Sequence, residues 1–178
     1  QGYVNGLHYA PNDAAPAAVS AADLMRTADM VRVGLAGSLR HYRMLTYDGR
    51  ELPLEQIAYP GNQPAGYVTS PGEVVNYFEN HDNQTLYDLN AFKLPLGTTA
   101  AERARVQILA AALNAFSQGI AYYHAGVELL RSKSMDRNSF DSGDWFNRID
   151  WSGEFNHFGT GLPPAPDNAT SWPLMQPR

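Results

Sequence analysis

The sequence predicts an α/β fold with a parallel pair of strands at its centre. Three segments support this prediction. A largely apolar, β-branched and aromatic run spans residues 74–78, a helix begins after Thr99, and a second apolar run spans residues 120–123. A strand, a helix and a second strand in this order make a βαβ unit, and such units build parallel sheets.

One helix is expected near the start of the chain. Residues 1–19 are rich in Gly, Asn, Pro and Ala and are expected to form a loop. Ser20 and Asp23 have the spacing of a capping box, and apolar residues recur after them at steps of three and four. This pattern predicts a helix over residues 21–36 that stops near Gly37.

Residues 40–73 are expected to form a long excursion rather than a compact element. Turn dipeptides interrupt the stretch at Asp48-Gly49, Pro60-Gly61 and Pro71-Gly72. Short strands are expected between these turns.

The helix of the βαβ unit has clear start and stop signals. Thr99 and Glu102 form a full capping box, in which each side chain accepts a hydrogen bond from a backbone N–H group of the first turn. Gly119 is expected to form the left-handed C-terminal cap. The residues that recur at helical spacing predict one apolar face: Val106, Leu109, Leu113 and Phe116.

Both predicted strands run into polar side chains. His81, Asp82 and Asn83 follow the first strand, and His124 follows the second. Active sites of parallel α/β proteins lie at the carboxyl ends of the strands. The cluster offers hydrogen-bond acceptors, donors and a titratable ring. A binding site for a hydroxyl-rich ligand requires such groups.

The segment of residues 131–148 has the composition of a sugar-binding loop. It is dense in hydrogen-bonding groups and includes Arg137, Asp144 and Trp145. Aromatic rings can cover the apolar face of a sugar, while charged and amide groups bind its hydroxyls.

Each of these features also has a simpler interpretation. His81 and Asp82 could be a solvated strand end, and residues 131–148 a solvated loop. A lone histidine such as His124 is more often a satisfied core residue than a catalytic one.

Composition excludes several classes of function. The chain has 178 residues with 44% apolar residues, a formal net charge of -5 and no cysteine. This size and apolar content suit one ordinary folded domain.

We expect no nucleic-acid partner and no membrane partner, because the charge is mildly acidic and no apolar run is long enough to span a bilayer. We also expect no cofactor and no metal site, since no phosphate-binding loop, dinucleotide fingerprint or zinc-ligand spacing occurs. The compartment stays open.

Three longer segments of the sequence carry a resemblance to a known enzyme family. Residues 74–88, 118–151 and 161–168 together resemble the C-terminal half of the catalytic domain of pullulanases and limit dextrinases. These are debranching enzymes of glycoside hydrolase family 13, the α-amylase family. The resemblance extends over about residues 1–170 and is weaker before residue 70. It implies a partial (β/α)8 TIM barrel containing the seventh and eighth strands, and hydrolysis of α-1,6-glucosidic branches in pullulan, amylopectin or limit dextrins with retention of configuration.

The same resemblance assigns roles to residues. Asp82 would stabilise the oxocarbenium-like transition state, and His81 would donate a hydrogen bond to the same sugar. The other implied contacts to the α-glucan are Asn83, Arg137, Asp144 and Trp145. The nucleophile Asp and the acid/base Glu of the family have no match here and are expected upstream of Gln1. We therefore expect a segment of a longer protein that is inactive alone; calcium binding by the full-length protein stays open.

This interpretation divides the chain into three parts. Residues 1–73 are expected to hold the helix and the excursion, residues 74–130 the βαβ unit, and residues 131–178 the substrate-facing loops. Two other functions stay open, namely a non-catalytic glucan-binding remnant and an amylopullulanase or α-1,4-amylase.

Overall fold

The computed structural model describes residues 2–6 and 20–178, so most of the loop predicted over residues 1–19 lies outside the described part of the chain. The longer described helices are α1 (Ala21–Leu35), α2 (Leu86–Lys93) and α3 (Ala100–Phe116). Single-turn helices follow at α4 (Asp144–Asn147), α5 (Ala165–Asn168) and α6 (Trp172–Met175). The described strands are β1 (Arg43–Leu45), β2 (Glu51–Pro53), β3 (Ala58–Tyr59), β4 (Gln63–Pro64), β5 (Val75–Asn76) and β6 (Ile120–Ala121).

Helix α1 begins and ends as its sequence predicts. The Ser20 hydroxyl accepts a hydrogen bond from the Asp23 N–H at 3.1 Å, and the Asp23 carboxylate accepts one from the Ser20 N–H at 3.3 Å. Gly37 follows the helix with a φ of +69°, and the next N–H donates to the carbonyl of Val33 at 3.0 Å. The capping box and the glycine stop are both confirmed.

The stretch expected to be a loose excursion is more compact than predicted. Strands β1 and β2 pair antiparallel, as do β3 and β4. The side chains of Met44, Leu54 and Ile57 are buried in one cluster with Val33 of α1. The predicted short strands and turns are confirmed. The prediction that this stretch forms no compact element is wrong, because its apolar residues pack together against α1.

The parallel pair of the βαβ unit is present. Val75 pairs with Ile120 and Asn76 with Ala121, in a parallel register. Each strand is only two residues long, shorter than the predicted runs. Val75 and Ile120 are about half exposed, at 54% and 53%. Within the described residues, this sheet consists of these two strands alone.

Helix α2 was not predicted. Thr85 is fully buried, and its hydroxyl accepts a hydrogen bond from the Asp88 N–H at 3.2 Å, which caps the helix. Thr85 therefore marks the start of a helix that follows the turn.

Helix α3 starts at the predicted capping box but differs at its other features. It ends at Phe116, and Gly119, with a φ of +113°, lies beside β5 instead of capping the helix. A Cβ on Gly119 would lie 3.0 Å from the Val74 carbonyl oxygen, so close approach of the two strands requires glycine there. The buried residues of α3 are Gln107, Ala110 and Asn114, whereas Phe116 of the predicted apolar face is 80% exposed.

None of the helices in the described residues has the length and apolar character required to cross a membrane.

Candidate functional site

His81 and Asp82 lie on an exposed turn that follows β5. Their side chains are 81% and 70% exposed, and the His81 Nε2 and the Asp82 Oδ1 are 3.7 Å apart. The Asp82 N–H donates to the Asn80 side-chain oxygen at 2.7 Å. Asn83 adopts a φ of +58°, a left-handed conformation that Asn tolerates better than most residues. The turn thus presents the imidazole and the carboxylate to solvent.

A buried polar chain fixes the strand ends beneath this turn. The Glu79 carboxylate lies 2.9 Å from the His124 Nδ1, and the His124 Nε2 lies 3.1 Å from an Arg131 guanidinium nitrogen. A guanidinium can only donate, so Nε2 accepts and Nδ1 carries the proton that it donates to Glu79. Glu79 also accepts from the Leu86 N–H at 2.6 Å.

This chain of bonds decides the role of His124. The ring is 8% exposed and both of its nitrogens have partners. The simpler interpretation, a satisfied core histidine, is the one that the structure confirms. Its effect is to connect the segment after β5 with the segment after β6.

A second buried connection joins α2 to residues 132–136. Asp88 is fully buried; one of its oxygens accepts a short hydrogen bond from the Ser132 hydroxyl, and the other accepts from the Lys133 N–H at 2.7 Å. Lys133 is 1% exposed, and its ammonium donates to the carbonyl oxygen of His81 at 3.1 Å. The turn with Asp82 is therefore tied to this buried segment.

Burial controls the ionisation of this cluster. It raises the pKa of the Asp88 carboxyl from 3.8 to about 6, although hydrogen bonds from Ser132 and the Lys133 N–H act in the opposite direction. Burial also lowers the pKa of the Lys133 ammonium, against the charges of Asp136 and Asp88. In both groups loss of water penalises the charged form.

The carboxyl of Asp88 is expected to make local stability depend on pH. The folded state binds the proton more tightly than the unfolded chain, whose carboxyl keeps a pKa near 3.8. The free energy of unfolding contributed by this group is therefore fully present below pH 3.8 and is lost as pH rises through about 6. A shift of about two pKa units corresponds to roughly 3 kcal/mol.

The measurement compares the wild-type full-length protein with Asp88→Asn by hydrogen exchange of peptides covering residues 86–93 and 131–136. All other titrating groups are the same in both proteins, so the difference between the two stability profiles isolates Asp88. We expect this difference to change by about 3 kcal/mol between roughly pH 4 and 7. Parallel profiles would contradict the assignment.

A third buried carboxylate organises the loop of residues 131–148. Asp136 is fully buried and accepts from the Asn138 N–H at 2.9 Å, the Ser142 hydroxyl at 2.6 Å and the Asn168 amide at 3.0 Å. The Asn168 side-chain oxygen in turn accepts from the Arg137 N–H at 3.0 Å. The backbone that carries Arg137 is thereby held from within.

The loop residues predicted to bind glucan are all on the surface. Arg137 and Asp144 are exposed, and Trp145 is 54% exposed. The Trp145 indole N–H donates to the Thr160 carbonyl at 3.1 Å, and the Arg148 guanidinium lies 5.0 Å from its ring centroid. In the described part of the chain, no hydrogen bond or ion pair joins these residues to His81, Asp82 or Asn83. The turn and the loop are connected instead through Lys133.

The buried residues that support the turn were missed by the sequence analysis. Glu79, Asp88 and Lys133 were not singled out, because a charged residue beside a loop is normally solvated. The spacing of Thr85 and Asp88, which is that of a helix N-cap, was the one available signal for this region.

Comparison with known proteins relates this geometry to one family. No family model matches the sequence. The chain is 40% identical to Pullulanase 1, chloroplastic, from Arabidopsis thaliana, over 100% of the chain and 19% of that protein. It is 40% identical to the pullulanase of Klebsiella pneumoniae, over 98% of the chain and 16% of that protein. The crystal structure of the Klebsiella pneumoniae pullulanase complexed with maltotriose matches 99% of the chain and 16% of its own, with a TM-score of 0.93 and 38% identity.

The chain thus spans less than a fifth of the length of these relatives. The match nevertheless extends along essentially the whole chain and includes its fold. The resemblance read from the sequence is therefore confirmed: along its whole length the chain is similar to one segment of the pullulanases.

Proposed function

We propose that this chain is part of the catalytic domain of a debranching glycoside hydrolase, in which β5 and β6 are the seventh and eighth strands of a (β/α)8 barrel. The parallel pairing of the two strands supports this assignment. So does the exposure of Val75 and Ile120, because strands of parallel sheets are normally covered on both faces. The other strands of the barrel would supply that cover.

The observation that carries the proposal is the placement of Asp82. Its carboxylate is 70% exposed at the carboxyl end of β5, on a turn that buried residues hold from below. In barrels of this type the active site lies at that end of the strands. A fixed carboxylate there can stabilise the positive charge that develops on a sugar ring as the glycosidic bond breaks.

The substrate class follows from the surface around this turn. The Klebsiella pneumoniae relative has been crystallised with maltotriose. An α-glucan would meet His81 and Asn83 on the turn and Arg137, Asp144 and Trp145 on the loop, which together offer donors, acceptors and an aromatic face. The strand unit over residues 74–130 and the loops over residues 131–178 would then share one binding surface.

The remaining chemistry would come from other parts of the full-length protein. Retention of configuration needs a nucleophilic carboxylate and an acid/base carboxyl about 5 Å apart. Asp82 has the separate task of stabilising charge.

The product pattern of the full-length protein tests this function. Pullulan consists of maltotriose units joined by α-1,6 bonds, so a debranching enzyme is expected to release maltotriose. An α-1,4-amylase would release trisaccharides that still contain an α-1,6 bond. The first product should carry the α anomer by proton NMR if configuration is retained. Binding of pullulan without any hydrolysis would contradict the proposal and support a glucan-binding module.

A further inference from the structure

We propose that Lys133 is a positioning residue for Asp82, because its buried ammonium holds the peptide from which the Asp82 side chain projects. This inference rests on the role proposed for Asp82. It adds a residue that does not itself need to touch the glucan.

The first observation is that Lys133 is buried at all. A lysine is almost never fully buried without a polar partner, since its ammonium loses its water. Lys133 is 1% exposed, and burial lowers the pKa of its ammonium. Among the described residues, the hydrogen bond recorded for this ammonium goes to the His81 carbonyl oxygen, at 3.1 Å. The charges of Asp136 and Asp88 partly offset the loss of water, and the ammonium's hydrogen bond is made to a backbone atom of the turn.

The second observation is that both polar atoms of the same peptide group are held. The carbonyl of His81 and the N–H of Asp82 belong to one planar unit. Lys133 binds the carbonyl at 3.1 Å, and the Asn80 side chain binds the N–H at 2.7 Å. Fixing both ends of a planar group fixes its orientation and hence the direction in which the Asp82 Cα presents its carboxylate.

The third observation is that Lys133 projects from a rigid base. Its own N–H is bound by Asp88 at 2.7 Å, and the hydroxyl of Ser134 donates to the Gly161 carbonyl at 2.6 Å. Ser134 and Met135 have φ values of +52° and +65°, which are strained for residues other than glycine. A strained conformation persists only where its surroundings determine it closely, so the ammonium has little freedom to follow a moving turn.

Among the residues that the structure describes, no hydrogen bond holds the side chain of Asp82. Its carboxylate is 70% exposed, and the side chain it pairs with, His81, is 3.7 Å away and itself 81% exposed. Precision at the carboxylate must therefore come through the backbone. Catalytic groups tolerate little displacement, and a misplacement of about 1 Å can cost on the order of 100-fold in rate.

The test uses the full-length enzyme and three variants. Lys133→Met removes the ammonium but keeps an apolar side chain. Lys133→Gln keeps a donor for the carbonyl without the buried charge. Lys93→Met is the matched control, because it removes the chain's other lysine, at the end of α2.

We expect Lys133→Met to lower kcat on pullulan roughly 10- to 100-fold, with the KM changed by less than about threefold. Lys133→Gln should retain more of kcat than Lys133→Met, and Lys93→Met should leave it unchanged.

A double-mutant cycle with Asp82→Asn separates positioning from general damage. If Lys133 acts through Asp82, adding Lys133→Met or Lys133→Gln to Asp82→Asn should cause less than about a threefold further loss. Fully multiplicative losses would overturn the inference, as would wild-type kcat in Lys133→Met. If Lys133→Met does not fold, the cycle is completed with Lys133→Gln. Wild-type turnover in Asp82→Asn alone would instead refute the proposed role of Asp82, which makes the two failures distinguishable.

Discussion

Asp82→Asn in the full-length protein is expected to lower kcat on pullulan by on the order of 100- to 1,000-fold. Asn has nearly the same shape as Asp but no charge, so it cannot stabilise the positive charge of an oxocarbenium-like transition state. Folding should be unaffected, because the Asp82 side chain is 70% exposed and its N–H bond to Asn80 is made by the backbone. The affinity for maltotriose, measured by calorimetry, should change only a few-fold.

Asp48→Asn is the matched control for this experiment. Asp48 lies in the turn between β1 and β2, where its side chain is 34% exposed and its carboxylate is paired with Arg50 at 2.7 Å. Its replacement removes the same charge from the protein but leaves the turn after β5 intact. We expect wild-type kcat for this variant. Comparable losses of kcat in Asp48→Asn and Asp82→Asn would show a general effect of net charge and contradict the role of Asp82.

Glu79→Ala is expected to cost about 3 to 5 kcal/mol of local stability. The carboxylate is buried and accepts from both His124 and the Leu86 N–H. Its loss leaves two buried donors without their acceptor. It also removes the negative charge that interacts with Arg131 across the His124 ring. The strand ends after β5 and β6 would then lose their common link.

Hydrogen exchange of peptides covering residues 74–88 and 118–132 measures this loss directly, since protection reports the free energy of local opening. Glu154→Ala is the control, because Glu154 is exposed and should change stability by less than about 0.5 kcal/mol. Equal protection in Glu79→Ala and the wild-type protein would show that the buried chain of bonds contributes little.

Elements defined by local signals were predicted well. The capping residues Ser20 and Thr99, the stop at Gly37 and the parallel order of the βαβ unit all depend on short-range patterns or on chain connectivity, and the structure confirms them. The position of His81 and Asp82 after a strand follows from the same reasoning.

Features set by tertiary packing were predicted less well. Apolar periodicity placed Phe116 on the buried face of α3, whereas Gln107 and Asn114 are buried there. Their amides reach the carbonyls of Val127 and Tyr122, so burial on this face is determined by bonds to the segment after β6. Lys133 illustrates the same limit, because its partner at His81 is 52 residues away in sequence.

The burial of Asn168 has a consequence for producing the protein. Asn168, Ala169 and Thr170 form a sequon for N-linked glycosylation. The Asn168 amide is 2% exposed and bonded to Asp136 and the Pro164 carbonyl, so a glycan there is incompatible with the folded loop. In a eukaryotic secretory host, a sugar added to Asn168 before folding would prevent residues 131–148 from packing around that side chain. Such molecules would stay misfolded. Thr170 is exposed, and Thr170→Ala would remove the sequon without disturbing these buried bonds.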